Sequence, residues 1–335
     1  VQYGFSRRMP DVQHSMRKTR RRWVGVFLCG VALAAGWAGS PEGGPEERAL
    51  WPEGMLPVSG ESETVVDRSK NPGVPDRAVG AVVRPTLTLY LPERDIRGPR
   101  PCVLICPGGG YEKVVIDKEG HAIARWLNGL GMAAAVLKYR MPRVDGMPPD
   151  PPWPVQDALR AMKFLRSEAG PLGIDPGRIG ILGASAGGHL AATVATHWQP
   201  GHPAAGDPVE RVSSRPDFQI LLYPVITLED AAVTHLGSRK ALLGEAPPPD
   251  LVRKYSNDIQ VTASTPPAFI VHARNDAAVS VENSLRYHSA LEANGVVSRL
   301  LVLDRGGHGF GLGTRGGAAA SWPEACASWL LERGW

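Results

Sequence analysis

The stretch Gly183-Ala184-Ser185-Ala186-Gly187-Gly188 constrains this chain more than any other. Before it, Arg178-Ile179-Gly180-Ile181-Leu182 is short, apolar and β-branched, which predicts a buried strand. After it, His189-Leu190-Ala191-Ala192-Thr193-Val194-Ala195 is a small-residue run that suits a helix. A G-x-S-x-G pattern between strand and helix is a sharp turn that lifts a serine hydroxyl above the sheet. Gly183 and Gly187 leave room where strand and helix cross, and the positive end of the helix lies at Ser185. The competing interpretation is a tight Gly/Ala/Ser turn with no chemistry, so the rest of the chain must decide.

Around that turn, apolar runs alternate with helical patterns. Strands are predicted at Thr86–Leu91, Cys102–Cys106, Met132–Leu137, Phe218–Ile226, Ala268–His272 and Ser298–Leu303. Helices are predicted from about Glu119 to Leu130, Val155 to Ala169, Ser280 to Ala293 and Ser321 to Arg333, with Ser280 and Ser321 as N-caps and Pro323 near the last start. The segment 227–267 reads as an insertion with one short helix around Arg239–Leu243, too small for a large cap. Continuous apolar strands alternating with helices predict an α/β class: a mostly parallel central sheet with helices on both faces. With 335 residues, the chain has ample length for such a domain, assigned here to 79–335.

The N-terminal part differs in composition. Residues 1–22 carry seven Lys and Arg against Asp11, and 23–40 carry no charge; of the chain's 37 basic and 33 acidic residues, 30 and 32 therefore remain from residue 41 onward. No basic face for nucleic acid is expected. Arg20-Arg21-Arg22, the apolar run Val24–Ala35 and the small residues after it read as a signal peptide over 1–40, with an uncleaved anchor as the alternative and Met9 or Met16 as possible starts. The apolar run is short for a membrane span. The expected location is thus periplasmic or extracellular, without stable membrane association after cleavage. Residues 41–78, rich in Pro, Gly and Glu, read as a linker or surface arm. Cys102 and Cys106 on one strand stand about 13 Å apart, too far for a disulfide. No Cys or His pair has metal-ligand spacing, and no cofactor is expected.

A serine that cleaves esters needs a base, a group that orients the base, and donors for an oxyanion. Asp276, just past the end of a predicted strand, is the acid candidate, with an Asx-turn as its structural alternative and Asp304 as runner-up. His308, between glycines in Arg305-Gly306-Gly307-His308-Gly309-Phe310-Gly311, is the base candidate. His189 would be carried away on its helix, His197 and His235 precede the acid, and His272 reads as a satisfied core histidine. Pro107-Gly108-Gly109-Gly110-Tyr111 follows a strand, so backbone donors are expected from Gly109, Gly110 and Ala186; the loop lacks the Lys-Ser/Thr of a phosphate cradle.

These stretches, with Lys138-Tyr139-Arg140, Asp157-Ala158-Leu159-Arg160-Ala161, Tyr223-Pro224-Val225, Tyr255-Ser256, Thr265-Pro266-Pro267-Ala268-Phe269 and Asn283-Ser284, resemble α/β-hydrolase-fold carboxylesterases, in particular acetylxylan-esterase-like carbohydrate acetyl esterases. The resemblance covers roughly 85–335 and implies Ser185 as nucleophile, His308 as base and Asp276 as acid. It also implies a small ester or acetylated carbohydrate such as xylan as substrate. The chain departs from the family at Ala273, where a glycine is usual, at Asn275, often an acid, and at Ser280, commonly a proline. Pro107 stands where lipase-like relatives have histidine. A broad short-chain carboxylesterase and a non-catalytic protein on the same scaffold are the alternatives. The latter would be favoured by a gap of more than about 4 Å between Asp276 and His308. Trp126, Trp153 and Trp198 are candidates for sugar stacking or, more simply, for packing.

Overall fold

The structure is a computed structural model that describes residues 1, 4, 45–56, 62–71, 73–92, 98–142 and 149–335. The signal-peptide assignment therefore lies outside the described residues. In chain order the strands are β1 (Glu46–Ala49), β2 (Thr64–Asp67), β3 (Arg77–Gly80), β4 (Thr86–Tyr90), β5 (Arg100–Cys106), β6 (Lys113–Val114), β7 (Ala133–Lys138), β8 (Ile174–Ala184), β9 (Gln219–Leu222), β10 (Ala268–Ala273) and β11 (Ser298–Leu303). The helices are α1 (Ala122–Gly129), α2 (Trp153–Ser167), α3 (Ala169–Leu172), α4 (Ala186–Thr196), α5 (Leu236–Leu243), α6 (Pro249–Lys254), α7 (Glu282–Ala293) and α8 (Trp322–Glu332).

Eight strands form one sheet in the order β1-β4-β7-β5-β8-β9-β10-β11. Pairings from β7 through β11 are parallel, and β4 runs antiparallel to both β1 and β7. The continuous apolar runs are buried on both faces: Val103, Leu104, Ile105 and Cys106 of β5 and Ile179, Ile181 and Leu182 of β8 are fully enclosed. From β5 the chain steps to β7 on one side, then returns through α2 to β8 on the other. Sheets of this kind bind ligands where the strand order reverses in this way, beyond the carboxyl ends of the strands. The register Cys106↔Gly183 puts the loop after β5 directly beside the turn after β8.

Several elements differ from the sequence expectation. The strand expected over Phe218–Ile226 ends at Leu222, because Tyr223 turns off with φ +37° and Pro224 has no N–H for a ladder. The insertion carries two helices, α5 and α6, and a 3₁₀ turn at Asn257–Ile259. The helix expected from Glu119 opens as a π-type turn, Asp117–His121, before α1. Of the two predicted serine caps, Ser321 stands at the N-cap of α8 with its hydroxyl turned to the Ala318 carbonyl, whereas α7 follows Val281 and the Ser280 hydroxyl accepts the Glu282 amide at 3.3 Å. The stretch read as linker or arm holds β1, which pairs with β4, and β2, which pairs with β3. β3 pairs in turn with β6, so this small second sheet is joined to the glycine-rich loop. The cysteines at 102, 106 and 326 are buried free thiols.

Candidate active site

Ser185 sits between β8 and α4 with φ +55° and ψ −121°, a strained conformation that only a tightly packed turn maintains. The packing is severe: a Cβ on Gly183 would be driven into the Gly187 backbone, and a Cβ on Gly187 into the Cys106 and Pro107 carbonyls. Those two glycines are therefore required by close backbone approach.

The three side chains expected to cooperate are brought together. His308 Nε2 lies 2.8 Å from Ser185 Oγ, and His308 Nδ1 lies 2.7 Å from Asp276 Oδ2. A carboxylate facing Nδ1 fixes the proton there, leaving Nε2 to accept the serine hydroxyl hydrogen. Asp276 also performs the turn role weighed against it: its Oδ1 accepts the Ala278 and Val279 amides at 2.9 Å each. Burial alone would raise its pKa, but hydrogen bonds from His272, His308 and the Val279 amide outweigh it and hold the carboxyl well below the usual range. Asp304, the runner-up, is exposed and lies 3.8 Å from Arg274, while His308 Nδ1 faces Asp276.

His272 is a fully buried histidine in contact with this group. Its Nε2 faces the Val279 carbonyl at 3.0 Å and Asp276 Oδ2 at 3.2 Å, and its Nδ1 pairs with the Ser284 hydroxyl at 2.8 Å. Two facing oxygens place the hydrogen on Nε2, so the Ser284 O–H donates to Nδ1. His189 is buried away from the site, accepting from the Tyr111 hydroxyl and donating to the Tyr255 carbonyl, both at 2.8 Å.

In the glycine loop, the Gly108 N–H already donates to Glu119 Oε2 at 2.9 Å. That leaves the Gly109 and Gly110 amides as the loop's candidate donors to an oxyanion. Ala186 opens α4, where the first amides have no intrahelical acceptor. The His308 loop is fastened by Asn275, whose Oδ1 accepts the Gly306 and Gly307 amides, and by Tyr223, whose hydroxyl accepts the Gly311 amide.

A cavity of about 330 Å³ opens here, lined by Ser185 and His308 together with Arg68, Lys113, Lys118, Glu119 and His235. None of those last five was marked by a motif. Lys113, Lys118 and Glu119 follow the glycine loop closely, and that proximity was the available signal; Arg68 and His235 reach the site only through tertiary folding. Burial, and then the nearby His308, push the His235 imidazole down. Arg68 is paired with Asp76, whereas Lys113 and Lys118 have no ion-pair partner among the described residues. Trp126 packs against Trp322 and Trp153 lies under the Arg140 guanidinium, so both are engaged in packing. Among the described residues no cluster of His, Cys, Asp and Glu is arranged to hold a metal.

The parallel sheet, its switch point between β5 and β8 and the serine turn at the end of β8 define an α/β-hydrolase fold. Within that class the chain belongs to the BD-FAE family, whose pattern matches residues 87–291 and ends before the His308 loop. It is 37% identical over 212 residues to an acetylxylan esterase of Xylanibacter ruminicola, covering 62% of this chain and 40% of that protein. It is 36% identical over 228 residues to endo-1,4-beta-xylanase B of Butyrivibrio fibrisolvens, covering 67% and 34%. The chain thus spans between a third and two fifths of the length of these curated relatives. Among solved structures, an acetyl ester-xyloside bifunctional hydrolase from Caldicellulosiruptor lactoaceticus matches with a TM-score of 0.72 and 38% identity, over 88% of this chain and 97% of that one.

Proposed function

We propose that this chain is a serine esterase that removes acetyl groups from carbohydrate, acetylated xylan in the first instance, through an acyl-enzyme on Ser185. The observation that carries this reading is the continuous pair of hydrogen bonds Ser185–His308–Asp276, at 2.8 and 2.7 Å. The short second bond also disfavours a non-catalytic scaffold.

In this mechanism His308 Nε2 takes the Ser185 proton as Oγ bonds to the ester carbonyl carbon, and the carbonyl electrons move to oxygen. The Gly109, Gly110 and Ala186 amides donate to that oxyanion; one such donor is worth about 3 kcal/mol of barrier. His308 then protonates the sugar oxygen as the C–O bond breaks, leaving an acetyl-serine. Water, deprotonated by the same histidine, attacks this ester and releases acetate and Ser185. Asp276 stays ionised throughout, orients the ring and stabilises its cationic form. No cofactor enters any step.

The relatives' names support the substrate class, since one is an acetylxylan esterase and another a xylanase. A cavity of about 330 Å³ suits a small acyl group. Lys113 and Lys118 along it, with no ion-pair partner among the described residues, favour substrates that carry a carboxylate near the ester. A signal peptide in residues 1–40 would deliver the enzyme to a polymer outside the cell.

The test is acetate release from acetylated xylan, beside p-nitrophenyl acetate and butyrate, with the chain and its Ser185→Ala variant. Acetate from xylan that the variant does not release is the expected result. Cleavage of the nitrophenyl esters alone would leave a broad short-chain carboxylesterase and overturn the polymer assignment.

A further inference from the structure

Glu119 is a buried carboxylate that the mechanism above does not use, and among the described residues no cation lies within ion-pair distance of it. Both of its oxygens are occupied by donors from different parts of the site. Oε2 accepts the Gly108 N–H at 2.9 Å, in the glycine loop. Oε1 accepts the Tyr223 O–H at 2.9 Å, and the Tyr223 oxygen in turn accepts the Gly311 N–H at 3.1 Å, in the His308 loop. The Tyr223 ring also meets the His308 ring edge-on, with centroids 5.0 Å apart.

The local backbone is shaped to deliver this side chain. Glu119 lies in the π-type turn Asp117–His121, a form of helix that is rare and frequent at functional sites. The next residue, Gly120, packs so closely on Val136 and Pro107 that a Cβ would press on both. The turn is thereby held against the start of the glycine loop.

We propose that Glu119 is a positioning residue that couples the oxyanion loop to the His308 loop through its two acceptor oxygens. The idea rests on the serine-esterase reading of the same site. Taking the Gly108 N–H keeps the loop's next amides, Gly109 and Gly110, oriented toward the developing oxyanion, and holding Tyr223 sets the height of the His308 loop. The chemistry requires a carboxylate rather than an amide. Gly108 N–H and Tyr223 O–H are both donors, and the Tyr223 oxygen already accepts from Gly311. Burial and the facing carboxylate push the Tyr223 phenol well above its ordinary value, so it remains a donor. A glutamine offers one acceptor and one donor, so either Gly108 or Tyr223 must face another donor.

The experiment compares Glu119→Gln, Tyr223→Phe and the double variant with the parent on p-nitrophenyl acetate, together with thermal unfolding and inhibition by a boronic acid that adds to Ser185. Glu119→Gln is expected to lower kcat by about 10- to 100-fold with KM changed less than about threefold, and to weaken boronic acid inhibition in parallel. Tyr223→Phe is expected to lower kcat less, and the double variant to be no worse than Glu119→Gln alone, because both changes cut one coupling. A folded Glu119→Gln variant with parental kcat, a loss confined to KM, or losses that multiply in the double variant would each overturn the proposal. A variant that melts early yet retains parental kcat at low temperature would show a purely structural carboxylate and overturn it as well. Ser185→Ala is run alongside: retained activity there defeats the serine-esterase reading itself, whereas an inactive Ser185→Ala beside an unaffected Glu119→Gln defeats only the role of Glu119.

Discussion

Asn275 accepts two successive amides, Gly306 at 2.9 Å and Gly307 at 3.0 Å, immediately before His308. It occupies a position where the resembling family often has an acid, and the geometry explains why both types serve: the site needs a side-chain oxygen facing two donors. Asn275→Ala leaves two amides without that acceptor, so the loop should sample other positions. We expect kcat on p-nitrophenyl acetate to fall about tenfold and stability to drop by about 1 kcal/mol. Asn275→Asp should retain near-parental kcat, because a carboxylate oxygen accepts the same two bonds. Equal losses in both variants would sink this account. The neighbouring Asp276 carries two roles that sequence reasoning set against each other: one oxygen closes the turn and the other holds His308.

Short elements whose partners lie far along the chain frame the site. β3 is four residues long, yet Arg77 at its start donates three bonds to Asp117, from its amide, Nε and Nη2, at 2.7 to 2.8 Å. That clamp anchors the π-type turn that presents Glu119. Burial would raise the Asp117 carboxyl, but the Arg77 bonds win and lower it. A carboxyl depressed in the folded state stabilises above its unfolded value, about 4, and loses that contribution as pH falls below it. Arg77→Ala should therefore lower stability by about 1–2 kcal/mol at neutral pH, with the gap to the parent closing below about pH 4. Denaturant titrations at both pH values test this, and a gap that persists in acid would refute the clamp.

The fold encloses His189 completely and His121, His197 and His235 in part, and burial disfavours the charged form of each. Burial pushes His189 down to about 4, and the same cause lowers His121, His197 and His235. Unfolding returns His189 to its ordinary value near 6.5, so the unfolded chain binds a proton that the folded one refuses. Stability is complete above about pH 6.5 and declines as pH falls toward 4, by on the order of 3 kcal/mol for His189 alone. Chemical denaturation at pH 7 and pH 4.5 should show a clear loss in acid, and His189→Gln should flatten it. Equal stability at both pH values would contradict the buried neutral imidazole.

The same contrast between near and far partners separates what could be read from the chain alone from what could not. The serine turn, the runs buried on both faces, the parallel sheet and the order Ser185, Asp276, His308 were legible, because each rests on short-range pattern: glycines at fixed offsets, continuous apolar runs, a polar residue just past a strand. Phe218–Ile226 misled because an apolar run does not reveal that Tyr223 leaves the sheet to meet Glu119. The arm at 41–78 read as linker because strands of four residues with exposed faces leave no periodicity. The parts that Glu119, Tyr223, Arg68 and His235 take in the site were not legible, for one physical reason. A side chain's identity states what it can donate or accept, but the partner that gives it a role stands up to 104 residues away. Only packing the turn, the strand end and the loop together brings the two within hydrogen-bond reach.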